Sequence, residues 1–181
     1  MNDLEKYFHG DVGRPFNKWK HYFAIYERHL AQFRHRPVRM LEIGVDKGGS
    51  LQMWKHYLGP EAEIVGVDID PACKNFAGER IAIEIGDQAD AAFWSSFKRK
   101  HPPFDIILDD GGHTMEQQIT SLCCLFEHVV GGGVYLVEDL CTSYWLGYGG
   151  GLGNPYSFIE YSKSLVDKLN VQYAAHFGVK A

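Results

Sequence analysis

Cysteine is scarce in this chain, and so is any long apolar run. The four cysteines, Cys73, Cys123, Cys124 and Cys141, show neither CxxC spacing nor the density of a disulfide scaffold. Free thiols in a reducing compartment are therefore expected, with at least one of Cys123 and Cys124, placed mid-helix, serving as small core filler. No HxxxH or HExxH spacing occurs either, which removes the common zinc frameworks. No apolar stretch approaches the roughly 20 residues that cross a bilayer. The opening Met1-Asn-Asp-Leu-Glu-Lys-Tyr-Phe8 lacks the basic-then-apolar order of a signal peptide. A cytoplasmic protein with no membrane partner is the expectation. Positive charge is also short: 18 Lys and Arg face 23 Asp and Glu, a formal net charge of -5. Without a dense basic stripe to neutralise phosphates, nucleic acid is not an expected partner.

What is present suits one compact domain: 181 residues, 45% hydrophobic and 23% charged, with no repeat, low-complexity tract or linker. Between Asn17 and Arg34, Trp19, Tyr22, Phe23, Ile25, Tyr26, His29, Leu30 and Phe33 recur at three- and four-residue steps, predicting an amphipathic helix. Residues 1–36 read as a helical appendage to a core over 37–170. From Val38, short apolar runs alternate with helical stretches. The predicted strands are Val38–Ile43, Glu63–Val67, Arg80–Ile85, Phe104–Leu108 and Gly133–Val137. The predicted helices are Ser50–Leu58, Pro71–Ala77, Ala89–Lys100, Met115–Val130 and Tyr156–Leu169. Five strand–helix units in a row predict an α/β, Rossmann-like parallel sheet with helices on both faces. Runs such as Ile106-Ile107-Leu108 lack alternation, as strands covered on both sides do. Ligands of such sheets bind at the carboxyl ends of the strands, where the polar residues of this sequence collect.

Strand one runs into Leu41-Glu-Ile-Gly-Val-Asp-Lys-Gly-Gly-Ser-Leu51. Gly44 permits a tight turn, and Gly48, Gly49 and Ser50 open the next helix with amides free to face a carboxylate. Alone, the loop is also what a plain strand-to-helix turn looks like. Asp68, closing strand two, has the acceptor oxygens for ribose hydroxyls, and Asp87 with Gln88, after strand three, can meet an adenine amino group. Asp46 and Lys47 break the G-x-G-x-x-G spacing of a pyrophosphate site, so an adenosine ligand without pyrophosphate fits better than NAD.

Strand four ends in Asp109-Asp-Gly-Gly-His113 and strand five in Glu138-Asp139. Each alone serves equally as a helix cap, a solvated loop or a surface imidazole. Together at neighbouring strand ends they are acids that repel unless a cation or protons intervene, and oxygen ligands suit a hard ion such as Mg2+.

The stretches Glu42-Ile-Gly44, Gly66-Val-Asp68 and the Asp87 loop resemble the first three motifs of class I methyltransferases. With His21-Tyr-Phe-Ala-Ile-Tyr26, Gly-Gly-Ser-Leu-Gln-Met-Trp54, Gly86-Asp-Gln88, Asp109-Asp-Gly-Gly-His113 and Glu138-Asp-Leu-Cys-Thr-Ser-Tyr-Trp145, the chain is similar, from about Lys20 to Leu169, to the metal-dependent macrolide sugar O-methyltransferases of macrocin and mycinamicin type. The resemblance implies that Glu42, Gly44, Ser50 and the glycine loop surround the methionine part of S-adenosyl-L-methionine, Asp68 its ribose, and Asp87 and Gln88 its adenine, with Asp109 also at the cofactor. It implies Asp110, Glu138 and Asp139 as metal ligands, His113 as base, and a small-molecule glycoside as substrate. The chain departs from that fold in length: the two strands that usually follow the fifth helix do not fit between Asn170 and Ala181. A fifth strand left as an open edge, together with an aromatic helix face, predicts a homo-oligomer. Two other readings remain beside the enzyme: a cofactor-binding protein without turnover, and an NAD-dependent sugar-modifying enzyme.

Overall fold

The computed structural model describes residues 1–10 and 13–176. Five strands, β1 (Arg39–Ile43), β2 (Glu63–Asp68), β3 (Ile81–Ile85), β4 (Phe104–Asp109) and β5 (Val129–Val137), form one sheet in the order β3-β2-β1-β4-β5. Every pairing is parallel, as the strand–helix alternation predicts. The chain winds outward from β1 to β3, then returns to lay β4 on the other side of β1. The C-terminal ends of β1 and β4 therefore flank the switch point where such sheets bind ligands.

Period-two side-chain direction splits the strands between two cores. Met40, Ile64, Ile106 and Leu108 join one cluster, while Leu41, Ile43, Val65, Val67 and Ile107 join the other. The first core is closed by α1 (Asp3–His9), α2 (Tyr22–Leu30) and α3 (Gly49–Leu58), through Leu4, Phe23, Tyr26, Leu30, Met53 and Trp54. The second is closed by α4 (Ala91–Lys100) and α5 (Met115–Leu125), through Trp94, Phe97 and Leu125. Asp90 caps α4 by accepting the Ala92 amide, and Lys98, Arg99 and Lys100 occupy its last turn, where cations complement the helix dipole. The last helix, α6 (Phe158–His176), packs Phe158 onto Met115 and Leu122.

The amino-terminal segment differs from its predicted form. α-Helix occupies only 22–30 of the predicted Asn17–Arg34, followed by a 3-10 turn over 31–33, and α1 precedes it, opened by a capping box between Asn2 and Glu5. Its aromatic face is not left in water. Phe23 and Leu30 are fully buried, and Trp19 and Ile25 remain exposed. Burial of a side chain such as Phe23 stabilises by about 1.5–3 kcal/mol, so this segment contributes to the main core. Other boundaries shift for local reasons. Residues 71–76 form a 3-10 helix begun by Pro71 and capped by Asp70. α5 stops at Leu125 and tightens into 3-10 geometry over 126–128. β5 begins at Val129, pairing Phe104 with Val129 and then Ile106 with Val134, so the extra residues around Gly132 bulge out. Cys124 packs against the second core and Cys123 is exposed, both near the end of α5. Among the described residues no strand pairs with the outer side of β5, and no helix is long and apolar enough to cross a membrane. α6 runs past the predicted Leu169, and residues 177–181 lie outside the described ones.

Candidate functional site

Backbone bonds carry the sheet past its strand ends and fix the loops that follow. Gly44 N donates to Val67 O at 2.8 Å, Asp110 N to Ile43 O at 2.9 Å, Gly86 N to Asp68 O at 2.9 Å and Glu138 N to Asp109 O at 2.9 Å. Four loops are thereby held side by side. A cleft of about 270 Å³ lies over them, lined among others by Gly44, Ser50, Asp68, Asp87, Gln88 and Asp110. A second cleft, of about 360 Å³, is lined by Phe8, Asn17, Lys18, Trp19, Asp110, Glu138 and Asp139. The two share Asn17, Lys18 and Asp110.

In the first cleft, Asp68 Oδ2 accepts the amides of Val45 and Asp46 at 2.8 and 3.1 Å, and Oδ1 accepts that of Asp70 at 2.9 Å. Burial opposes the charge, yet these three N–H groups win and hold the carboxyl below its ordinary value. With about four lone-pair sites on a carboxylate, Asp68 retains room for one further donor. Asp87 is exposed, with Oδ1 on the Ala89 amide. Gln88 is buried as a brace: Nε2 donates to Asp109 and Ser121, and Oε1 accepts the Gly112 amide at 2.7 Å.

Two residues that the resemblance puts at the cofactor stand behind the cleft wall instead. Glu42 is fully buried, accepting from Ser50 Oγ at 3.1 Å and Trp54 Nε1 at 3.0 Å. Burial pushes its carboxyl up to about 7, against the nearby Lys18 charge and the Trp54 bond. Asp109 is also fully buried, held by Gln88 and the Gly111 amide, with Oδ2 unpartnered among the described residues. Burial raises it to about 7 as well. Neither lines the cleft. Both position the loops that do.

Beside the acids of the second cleft, His113 Nε2 lies 3.8 Å from Asp110 Oδ1 and 3.7 Å from Asp139 Oδ2. One donor atom from each of Asp110, His113 and Asp139 falls within 4.8 Å of the others, the spacing of a metal group. Glu138 is outside that group. It is buried and engaged by Lys18 Nζ at 2.8 Å and by the Tyr26 hydroxyl. Burial pushes its carboxyl up to about 7 despite the Lys18 charge. His113 and Asp139 both adopt left-handed backbone, φ 58° and 54°, as does Asp46 on the first cleft. A non-glycine residue in that region costs on the order of 1–3 kcal/mol and persists where its surroundings dictate the conformation. Here the Thr142 hydroxyl donates to the His113 carbonyl at 2.9 Å, and the Asp139 amide donates to the Tyr22 hydroxyl at 3.0 Å.

Lys18, Trp19, Tyr22 and Tyr26 are site residues that the sequence did not single out. Trp19 Nε1 and Tyr22 OH both donate to Asp139 Oδ1 at 3.0 Å. The available signal was two tyrosines one turn apart within an apolar stripe, hydroxyls that a purely structural face has no use for.

A family model described as "Methyltransferase domain" matches residues 41–140, from β1 to just beyond β5. The chain belongs to this methyltransferase family. The chain is 40% identical over 181 residues to 8-demethyl-8-(2-methoxy-alpha-L-rhamnosyl)-tetracenomycin-C 3'-O-methyltransferase of Streptomyces olivaceus, across 90% of this chain and 46% of that protein. It is 41% identical over 169 residues to demethylmacrocin O-methyltransferase of Streptomyces fradiae, across 86% of this chain and 42% of that one. Among solved structures, the MycE methyltransferase of the mycinamycin biosynthetic pathway, in complex with Mg and SAH, superposes with a TM-score of 0.83 at 37% identity, over 94% of this chain and 46% of MycE. The chain thus spans slightly less than half the length of these relatives. The Rossmann-like reading of its fold agrees with that superposition.

Proposed function

We propose that this chain carries the cofactor and catalytic core of an S-adenosylmethionine-dependent, Mg2+-dependent O-methyltransferase acting on a hydroxyl of a sugar or glycosylated natural product. The carrying observation is that two clefts meet at Asp110, one floored by nucleoside-suited loops and the other lined by Asp110, Glu138 and Asp139, with His113 beside two of these acids. The named activities of the relatives and the Mg and SAH of the MycE complex support the same reading.

In the first cleft, the remaining acceptor of Asp68 faces a ribose hydroxyl, Asp87 an adenine amino group, and the amides that open α3 a carboxylate. Asp110, Glu138 and Asp139 suit Mg2+ because each keeps one carboxylate oxygen that takes no hydrogen bond among the described residues. When bound, the ion supplies Lewis-acid stabilisation of a sugar alkoxide. His113 Nε2, beside Asp110 and Asp139, would take the substrate hydroxyl proton, the methyl group passing from the cofactor sulfur to that oxygen with S-adenosylhomocysteine as the leaving group. Tyr144 and Trp145, half exposed at the head of the loop to Asn154, offer aromatic faces to a sugar ring. The edge of β5, unpaired among the described residues, and the exposed Val166, Leu169, Val171 and Tyr173 of α6 favour a homo-oligomer.

The deciding experiment follows S-adenosylhomocysteine release from the chain incubated with S-adenosylmethionine and a glycoside bearing adjacent free hydroxyls, with Mg2+ and with a chelator. Metal-dependent methyl ether formation is expected. Cofactor binding by calorimetry without turnover on any glycoside would reduce the protein to a binding module, and absence of cofactor binding would remove the reading.

A further inference from the structure

Lys18 is the least expected charge in the molecule. Its side chain is 1% exposed, and its ammonium donates to Asp110 Oδ2 and to Glu138 Oε1. Burial works against that charge, but Glu138, Asp110 and Glu42 outweigh it and hold the ammonium protonated well above its usual range. An ammonium taken out of water costs several kcal/mol unless geometry repays it, so the position calls for an account.

The bonds are divided in a particular way. Lys18 takes one oxygen of Asp110 and one of Glu138, and Tyr26 shares that same Glu138 oxygen. Trp19 and Tyr22 take one oxygen of Asp139. Asp110 Oδ1, Glu138 Oε2 and Asp139 Oδ2 accept no hydrogen bond among the described residues.

We propose that Lys18 is a positioning residue of the metal site, which locks one oxygen of Asp110 and of Glu138, leaves the opposite oxygens for the ion, and places one positive charge beside it. This rests on the metal reading above. It makes the stretch from Lys18 to Tyr26 a support of the ion's ligands, and it assigns a task to the acid-binding side chains at the head of α2.

The test measures metal binding directly on the full chain. Mn2+ affinity is read by electron paramagnetic resonance, and Tb3+ affinity by luminescence excited through Trp19, whose indole is bonded to Asp139. Removing a partner that orients metal ligands typically weakens metal affinity by about 10–100-fold, the loss of Mn2+ affinity expected for Lys18→Met. Tb3+ should suffer less, because the lost ammonium no longer opposes its third charge, so the Tb3+ over Mn2+ preference rises. Tyr26→Phe, which removes one bond and no charge, should weaken Mn2+ with that preference unchanged. A folded Lys18→Met with unchanged Mn2+ affinity overturns the inference. Tighter Mn2+ binding also overturns it, since Lys18 would then be occupying the ion's place. Should Lys18→Met fail to fold by circular dichroism, Lys18→Arg carries the test: it keeps the charge but not the compact contact, and unchanged Mn2+ affinity there overturns the inference equally. A wild-type chain that binds no Mn2+ removes the metal reading itself, together with this one.

Discussion

The Cβ that Gly44 lacks would stand 2.1 Å from the carbonyl oxygen of Asp110. The loop after β1 and the loop after β4 therefore touch backbone to backbone at the switch point of the sheet. Gly44 also holds φ 91°, a region closed to most side chains.

Gly44→Ala accordingly combines a forbidden backbone conformation with an unrelievable clash, and should destabilise the fold by about 2–5 kcal/mol. Thermal unfolding checks this, with Gly78→Ala as control, because a Cβ at Gly78 meets nothing within 4 Å. Surviving folded protein should bind S-adenosylhomocysteine poorly, since the clash pushes apart the glycine loop after β1 and Asp110 after β4. A Gly44→Ala chain as stable as the control would mean that the two loops do not meet.

Asp68 organises the first cleft through the amides of Val45, Asp46 and Asp70. Asp68→Ala should weaken S-adenosylhomocysteine binding by about 1.5–3 kcal/mol, the range for a charged hydrogen-bond acceptor, as read by calorimetry. The carboxyl is held below its ordinary value in the folded chain. Its contribution to stability is therefore full above the unfolded value of about 3.9 and is lost as pH falls through the lower folded value. The melting temperatures of wild type and Asp68→Asn should differ most near neutrality and converge below about pH 4. A constant gap across that range would assign the stabilisation to other groups.

The parallel sheet was legible because periodicity and strand–helix alternation are local patterns, and Leu41, Ile43, Ile106 and Ile107 carry them without ambiguity. The carboxylates at strand ends were legible for the same reason: a sheet fixes which ends lie together. Side-chain direction was not. Glu42 and Asp109 sit in the motifs but end up behind the wall, Glu42 bonded to Trp54 and Asp109 to Gln88. Which way they turn depends on partners 12 and 21 residues away. Lys18 was invisible for a stronger form of the same reason, since its partners Asp110 and Glu138 are 92 and 120 residues distant. No local pattern marks a lysine that folds inward.

Association is expected at the far side of the sheet. Among the described residues no strand pairs with the outer side of β5, and α6 exposes Leu169 at 78% and Tyr173 at 61%. The aromatic side of α2 gives no support, since it is buried in the main core. Light scattering at micromolar concentration should return a mass above that of one chain, and Leu169→Glu should shift it downward. A clean monomer that Leu169→Glu leaves unchanged would end this expectation.

Metal and base are separable by their different failures. Glu138 keeps Oε2 for an ion, so Glu138→Ala should raise the Mg2+ concentration needed for half-maximal rate, with excess Mg2+ recovering part of the activity. His113 lies between Asp110 and Asp139 with Nε2 at 3.8 and 3.7 Å from them, too far for a hydrogen bond, and the proposed function makes it the base. His113→Ala should lower kcat by a factor of about 10^2–10^4, the usual contribution of a general base, while Mn2+ and cofactor affinities stay close to wild type. Excess metal should not repair it. The opposite pattern has a definite meaning, because His113 and not Glu138 completes the 4.8 Å group with Asp110 and Asp139. If His113→Ala chiefly loses metal affinity and Glu138→Ala does not, the imidazole is a ligand, the ion is a transition metal rather than Mg2+, and the proton must leave by another route.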